Sequence, residues 1–164
     1  MSCKDERHDH HHHRSNCVCD VVKFIDELQD CASSACPTGC DVPFLGANQG
    51  AKFANTRPFL LYTTEGELFS SVFFLENDPT TPNDDICARS PIFRVESVDD
   101  CCAVLRILVP PTLTRETSQT PEDIVCAFLK QTIPQLISTN LSITVDLNCF
   151  CAIQCLRDVN VPGV

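Results

Sequence analysis

"LSITVDLN", residues 141–148, alternates without a break. Leu141, Ile143, Val145 and Leu147 fall on one side of an extended chain; Ser142, Thr144, Asp146 and Asn148 fall on the other. A period of two is that of a β-strand with one buried face. Continued at the same parity, the strand runs into "NCFCAIQCLRD" (148–158), and Cys149, Cys151, Ile153 and Cys155 follow Leu147 onto its face. Residues two apart in a strand have Cα atoms about 6.5 Å apart, the upper edge of disulfide geometry, and Cys151 and Cys155 would be about 13 Å apart. Partners for these thiols must therefore come from another strand or another chain.

More strands lie upstream. "RPFLLYT" and "ELFSSVFFL" flank Thr64-Glu65-Gly66, which reads as a hairpin turn. "PIFRVESV" and "CCAVLRILVP" flank Asp99-Asp100, a second hairpin. "NDPTTPNDD" and "PPTLTRETSQTPED" are polar, proline-rich surface loops, and "EDIVCAFLKQT" fits a short helix or a strand end. Near the start, Val18, Val21, Val22, Ile25 and Leu28 recur at helical spacing, opposite Lys23, Asp26, Glu27 and Asp30, with Asp20 placed to cap. "CASSACPTGC" after it is loop. The expectation is a mainly β fold: an antiparallel β-sandwich or barrel-like body led by an amphipathic helix at about 19–31. Residues 17–164 form one cysteine-rich domain, behind a disordered, His-rich polar tail over 1–16.

Net charge is -10, which argues against nucleic acid and anionic membrane surfaces as partners. The first 16 residues lack the apolar stretch of a signal peptide, so synthesis in a reducing cytosol is expected. All five histidines, His8 and His10 to His13, lie in that tail. Asp9 interrupts the run and MSCKDER precedes it, which disfavours an expression tag. The body therefore has no histidine to activate a nucleophile, and it carries neither a phosphate-binding glycine loop nor C-x-x-C. Carboxylates such as Asp84, Asp85, Asp99 and Asp100 sit in loop or turn sequence, where solvation is the ordinary role. No catalytic residue and no cofactor is expected.

Thirteen cysteines is an outlying number for a chain that starts in a reducing compartment. An odd count cannot pair fully within one chain. Some thiols, such as Cys102, Cys126 or Cys151, fit plain core packing. Cys36-x3-Cys40 and Cys151-x3-Cys155 have zinc-like spacing, but the other nine thiols would remain unexplained, and no metal is assigned. By position, Cys3, Cys17, Cys19, Cys31, Cys36 and Cys40 lean to intermolecular bridges, because tails and helix ends reach outward. Cys87, Cys101, Cys102, Cys126, Cys149, Cys151 and Cys155 lean to the body, as core thiols or intramolecular disulfides, with at least one pair among Cys101, Cys102, Cys149, Cys151 and Cys155.

"SPIFRVESVDDCCAVLRIL" (90–108) and "ITVDLNCFCAIQCLRD" (143–158) closely resemble the CotY/CotZ/ExsY family of spore surface proteins in bacilli. "NCVCDVVKFIDELQDC", "CPTGC", "VPFLGA" and "NTRPFLLYT" match in the same order, so the resemblance covers most of the chain from Asn16 to Asp158. It implies a structural protein, made in the mother cell, that builds the exosporium basal layer or coat crust. It also implies homohexamers, a two-dimensional hexagonal lattice, disulfide cross-links and contacts with other spore coat and exosporium proteins. The rival roles are an anchor or adaptor for another coat or appendage protein, and a thiol-rich zinc or redox module.

Overall fold

The computed structural model describes residues 16–33, 54–76, 85–114 and 119–164. The chain opens with helix α1 (Cys17–Ser33). Its cap is Asn16 rather than Asp20: the Asn16 Oδ1 accepts from the backbone N–H groups of Val18 and Cys19 at 3.1 and 3.3 Å. Val18, Cys19, Val22, Ile25 and Leu28 form the buried stripe.

Among the described residues seven strands follow: β1 (Phe59–Thr63), β2 (Ser71–Leu75), β3 (Ile86–Ser90), β4 (Ile92–Asp99), β5 (Cys102–Val109), β6 (Ile137–Asp146) and β7 (Phe150–Cys155). A second helix, α2 (Pro121–Leu129), lies between β5 and β6. Every pairing is antiparallel. One sheet has the order β6-β5-β4-β1-β7, and β2-β3 forms a separate two-stranded ribbon. The body is thus mainly β, with antiparallel sheets and an N-terminal helix, as the alternation predicts.

Of the two expected hairpins, the β4–β5 one forms with altered limits, and the first forms only at its turn, where Tyr62 bridges Leu68, because β2 pairs with β3 instead of β1. The first turns at Gly66, whose φ of 82° suits glycine. The returning chain then divides: Phe69 N–H donates to the Leu61 carbonyl at 2.9 Å, but from Ser71 the chain leaves to pair with β3. The Arg89 side chain, bonded to the hydroxyl and carbonyl of Ser70, pins the division. Across the ribbon, Ser90 and Pro91 divert β3 into β4, and Ser90 Oγ donates to the Leu108 carbonyl at 2.6 Å. The second hairpin turns at Asp100-Cys101, one residue later than expected, with Asp100 at φ 54°. Aspartate is among the few side-chain-bearing residues that adopt this conformation readily.

"EDIVCAFLKQT" is helical. Thr120 and Asp123 form a reciprocal capping box, and Pro121 opens the first turn. Ile124, Val125 and Phe128 face the core.

The decisive stretch departs from strict alternation at Asp146. Its carboxylate accepts from Asn148 N–H at 2.9 Å and sets a 3-10 turn over Leu147–Cys149. Parity resets there, and β6 and β7 become separate strands at opposite ends of the sheet. A flat five-stranded sheet would hold its outer strands about 19 Å apart. The four steps from Asp146 to Phe150 reach at most about 14 Å. The sheet therefore curls, bringing the joined ends of β6 and β7 within that reach. Curling brings α1, the sheet and α2 around one core, with Phe59, Phe73, Phe93 and Phe128 fully buried. Each such ring contributes about 1.5–3 kcal/mol of burial. Phe69 sits against Phe93 and Phe150, at centroid distances of 5.6 and 5.0 Å.

Candidate functional site

Ten of the cysteines lie among the described residues, and they divide into two sets. Cys19 and Cys101 form a disulfide across 82 residues, with Cα atoms 5.5 Å apart. It staples the start of α1 to the β4–β5 turn. The same corner is bound by Asn16, whose side-chain amide donates to the Leu147 carbonyl and to Asn148 Oδ1. Cys31 and Cys149 are disulfide-bonded as well. The second set, Cys17, Cys87, Cys102, Cys126, Cys151 and Cys155, is free, and all six residues are exposed.

This division revises several positional expectations. Cys19 does not reach outward; it is 1% exposed and bonded within its own chain. Its position three residues before Val22 put it on the buried stripe, a signal that outweighs its nearness to the helix end. Cys31 is not a free helix-end thiol either. Cys17 is free and exposed. Cys3, Cys36 and Cys40 lie outside the described residues. Cys102, Cys126 and Cys151, which fitted core packing, are exposed. The reasons are local: Cys102 opens its strand beside a turn, and Cys126 lies on the face of α2 opposite Ile124 and Phe128. At Cys151 a bulge intervenes, because Tyr62 pairs with Ala152 and Thr63 with Phe150. No disulfide joins two of Cys101, Cys102, Cys149, Cys151 and Cys155: Cys101 bonds Cys19, and Cys102, Cys151 and Cys155 are free. Strands β5 and β7 are separated by β4 and β1, so their thiols do not meet.

Cys155 stands apart electrostatically. Although much of the residue is exposed, partial burial pushes its thiol pKa up; Arg57 pulls it down and Asp158 adds to the rise. Arg57 and Asp158 form a two-pronged ion pair beside it, at 2.8 and 2.9 Å. That hydrogen bond in turn holds the Arg57 guanidinium charged, against the cost of its burial. Arg57 cannot activate the thiol as a histidine base would, because its guanidinium is already protonated and cannot take up a proton.

The arrangement offers thiol chemistry at the surface without an activated centre. The described body holds no histidine, and among the described residues no three His, Cys, Asp or Glu side chains converge to hold a metal ion. Half of the proposed zinc quartet, Cys36 and Cys40, lies outside the described residues. Among the described residues no helix is long and apolar enough to cross a membrane. What the free thiols can do is form disulfides with thiols brought to them.

Comparison with known proteins bears on whose thiols those are. The family model described as Spore coat protein Z matches residues 1–158. The chain is 34% identical over 147 residues to spore coat protein Z of Bacillus subtilis (strain 168), covering 87% of this chain and 90% of that protein. No solved structure matches.

Proposed function

The chain belongs to the spore coat protein Z family, and from that membership we propose that it is a structural protein of the spore surface, a subunit that associates with its own copies and is then cross-linked through surface thiols. The observation that carries this reading is the division of the cysteines. Cys19 and Cys101 are spent on the fold and Cys31 and Cys149 are also bonded, while six exposed thiols remain among the described residues. A packed core has no use for thiols on its outside, and a thiol without a neighbouring base suits cross-linking better than nucleophilic catalysis.

The proposed sequence is assembly first and oxidation second. The chain is made in the reducing mother-cell cytoplasm, where non-covalent contacts set the array. Once exposed to an oxidising environment, thiols of neighbouring subunits join, and dissociation then depends on thiol exchange rather than interface strength. The finer reading is a hexamer within a hexagonal sheet, in the exosporium basal layer or coat crust, in contact with other coat proteins. Residues 17–164 act as one subunit body, its curled sheet an open, barrel-like frame, and residues 1–16 as a polar tail. No catalysis is proposed.

Electron microscopy of the purified full chain, with and without reductant, tests the reading. Ordered sheets in reductant, which resist dissociation by denaturant only after oxidation, are the expected result. A chain that stays monomeric in both conditions overturns self-assembly. Formation of larger species only when a second coat protein is added would assign the adaptor role instead.

A further inference from the structure

Helix α2 has two unlike ends. At its start, Glu122 and Asp123 make the first turn acidic. Beside them, a surface cleft of about 470 Å³ runs between β3 and the helix start, lined by Asp85, Cys87, Arg89, Gln119 and Pro121 among others. Cys87 pairs across the ribbon with Phe74, and Arg89 with Val72. Those two apolar side chains are exposed on the face that carries the free Cys87 thiol.

The far end of α2 is a protruding apolar knob. Ile133 is 73% exposed and Leu129 51%, the two largest values among the exposed large apolar residues. Lys130 lies between them in the chain, and Arg157 donates to the Leu129 and Gln131 carbonyls at 3.4 and 3.0 Å, with its guanidinium 5.8 Å from the Phe128 ring centre. The knob is thus held firmly and is cationic, on a chain whose net charge is -10. Cys126, free and exposed, lies three residues before Leu129 on the same helix face.

We propose that the knob of one copy docks into the β3–α2 cleft of the next, and that Cys126 of the first then bonds Cys87 of the second. The occupant is a second copy because the two patches complement each other. One is a cation-flanked apolar projection; the other is a hollow with an apolar apron, flanked by Asp85, Glu122 and Asp123, whose lining cation Arg89 is bonded to the hydroxyl and carbonyl of Ser70; each carries a free thiol. Because the patches differ, the contact is head to tail, which closes into a ring or runs on as a chain of subunits. For the covalent step, a small-molecule disulfide is the oxidant. One protein thiolate attacks it and releases one small thiol; the second protein thiolate displaces the other, leaving a Cys87–Cys126 bond and two small thiols, the small disulfide having been reduced.

This rests on the self-association proposed above and specifies its contact. The test mixes unlabelled and nitrogen-15-labelled full-length chains, lets them assemble, oxidises them with oxidised glutathione, and digests without reduction. Expected are linked peptides joining labelled Cys87 to unlabelled Cys126, and the reverse. Ile133→Asp should cut their yield about tenfold, with the circular dichroism spectrum unchanged. Assembly locked through other cysteines, or an undiminished Cys87–Cys126 yield in I133D, overturns this contact alone. A chain that remains monomeric overturns both the contact and the self-association on which it rests.

Discussion

Gln29, buried on α1, donates from its side-chain amide to the Val95 carbonyl at 2.9 Å. Its oxygen accepts from the Arg57 backbone N–H at 3.2 Å, so one side chain ties the helix both to β4 and to the approach to β1. Gln29→Ala should destabilise the fold by about 1–3 kcal/mol, since it strands buried backbone groups. Urea unfolding under oxidising conditions measures it. A change within error would mean that water replaces the amide.

The Cys19–Cys101 bond closes a loop of some 80 residues. By chain entropy its loss should cost about 4 kcal/mol. Cys19→Ser with Cys101→Ser should therefore unfold earlier in denaturant than the parent chain. Addition of reductant to both chains should remove most of the difference, since it also opens the bonds of Cys31 and Cys149 in each. Equal midpoints without reductant would show that this bond contributes little.

Asp26 sits on the inner margin of α1. Burial, and next the charge of Asp30, raise its pKa above the ordinary carboxylate value; Arg94 and a hydrogen bond from Val98 oppose the rise. A carboxyl raised in the folded state favours folding while protonated, and that contribution is lost as pH rises through the folded pKa. Asp26→Asn should thus be stabilising near neutral pH, by at most about 0.5 kcal/mol for so exposed a site. The gain should vanish below the unfolded carboxylate pKa. Thermal unfolding of both chains at acid and neutral pH checks the sign; a gain that grew on acidification would contradict it.

The desolvated Cys155 thiol should be alkylated by iodoacetamide more slowly at pH 8 than cysteine in a short peptide, and its rate should go on rising above the pH at which the peptide levels off. Residue-resolved mass spectrometry of the native chain reads this directly. The same experiment should leave Cys19 and Cys101 unmodified.

Much of the architecture was legible because it follows from periodicity. The α1 stripe and the alternation of β6 each repeat a simple spacing, whereas the periodicity of "EDIVCAFLKQT" left helix and strand end open, and the cap of Thr120-Pro121 with Asp123 that decides it went unread. What escaped depends on contacts remote in the chain or on one side chain bending the backbone. Asp146 turns the strand by accepting from Asn148, a local pattern that could have been suspected. The bulge at Cys151 answers to β1, some 90 residues away, and no neighbouring residue encodes it. Cys19 was recoverable from its place beside Val22, but its pairing with Cys101 was not, because spacing carries no connectivity. Exposure of the six free thiols emerges only from the finished surface.

In the array proposed above, the curl that draws both outer strands toward the Leu147–Cys149 turn, together with the irregularity in β7, would govern how the subunits add to one another. Straight, open margins invite neighbours to add strand upon strand, and the product is a thread. Margins that bend toward one another deny that route. Growth is then left to side chains on several faces, which is how material spreads over an area instead of along a line.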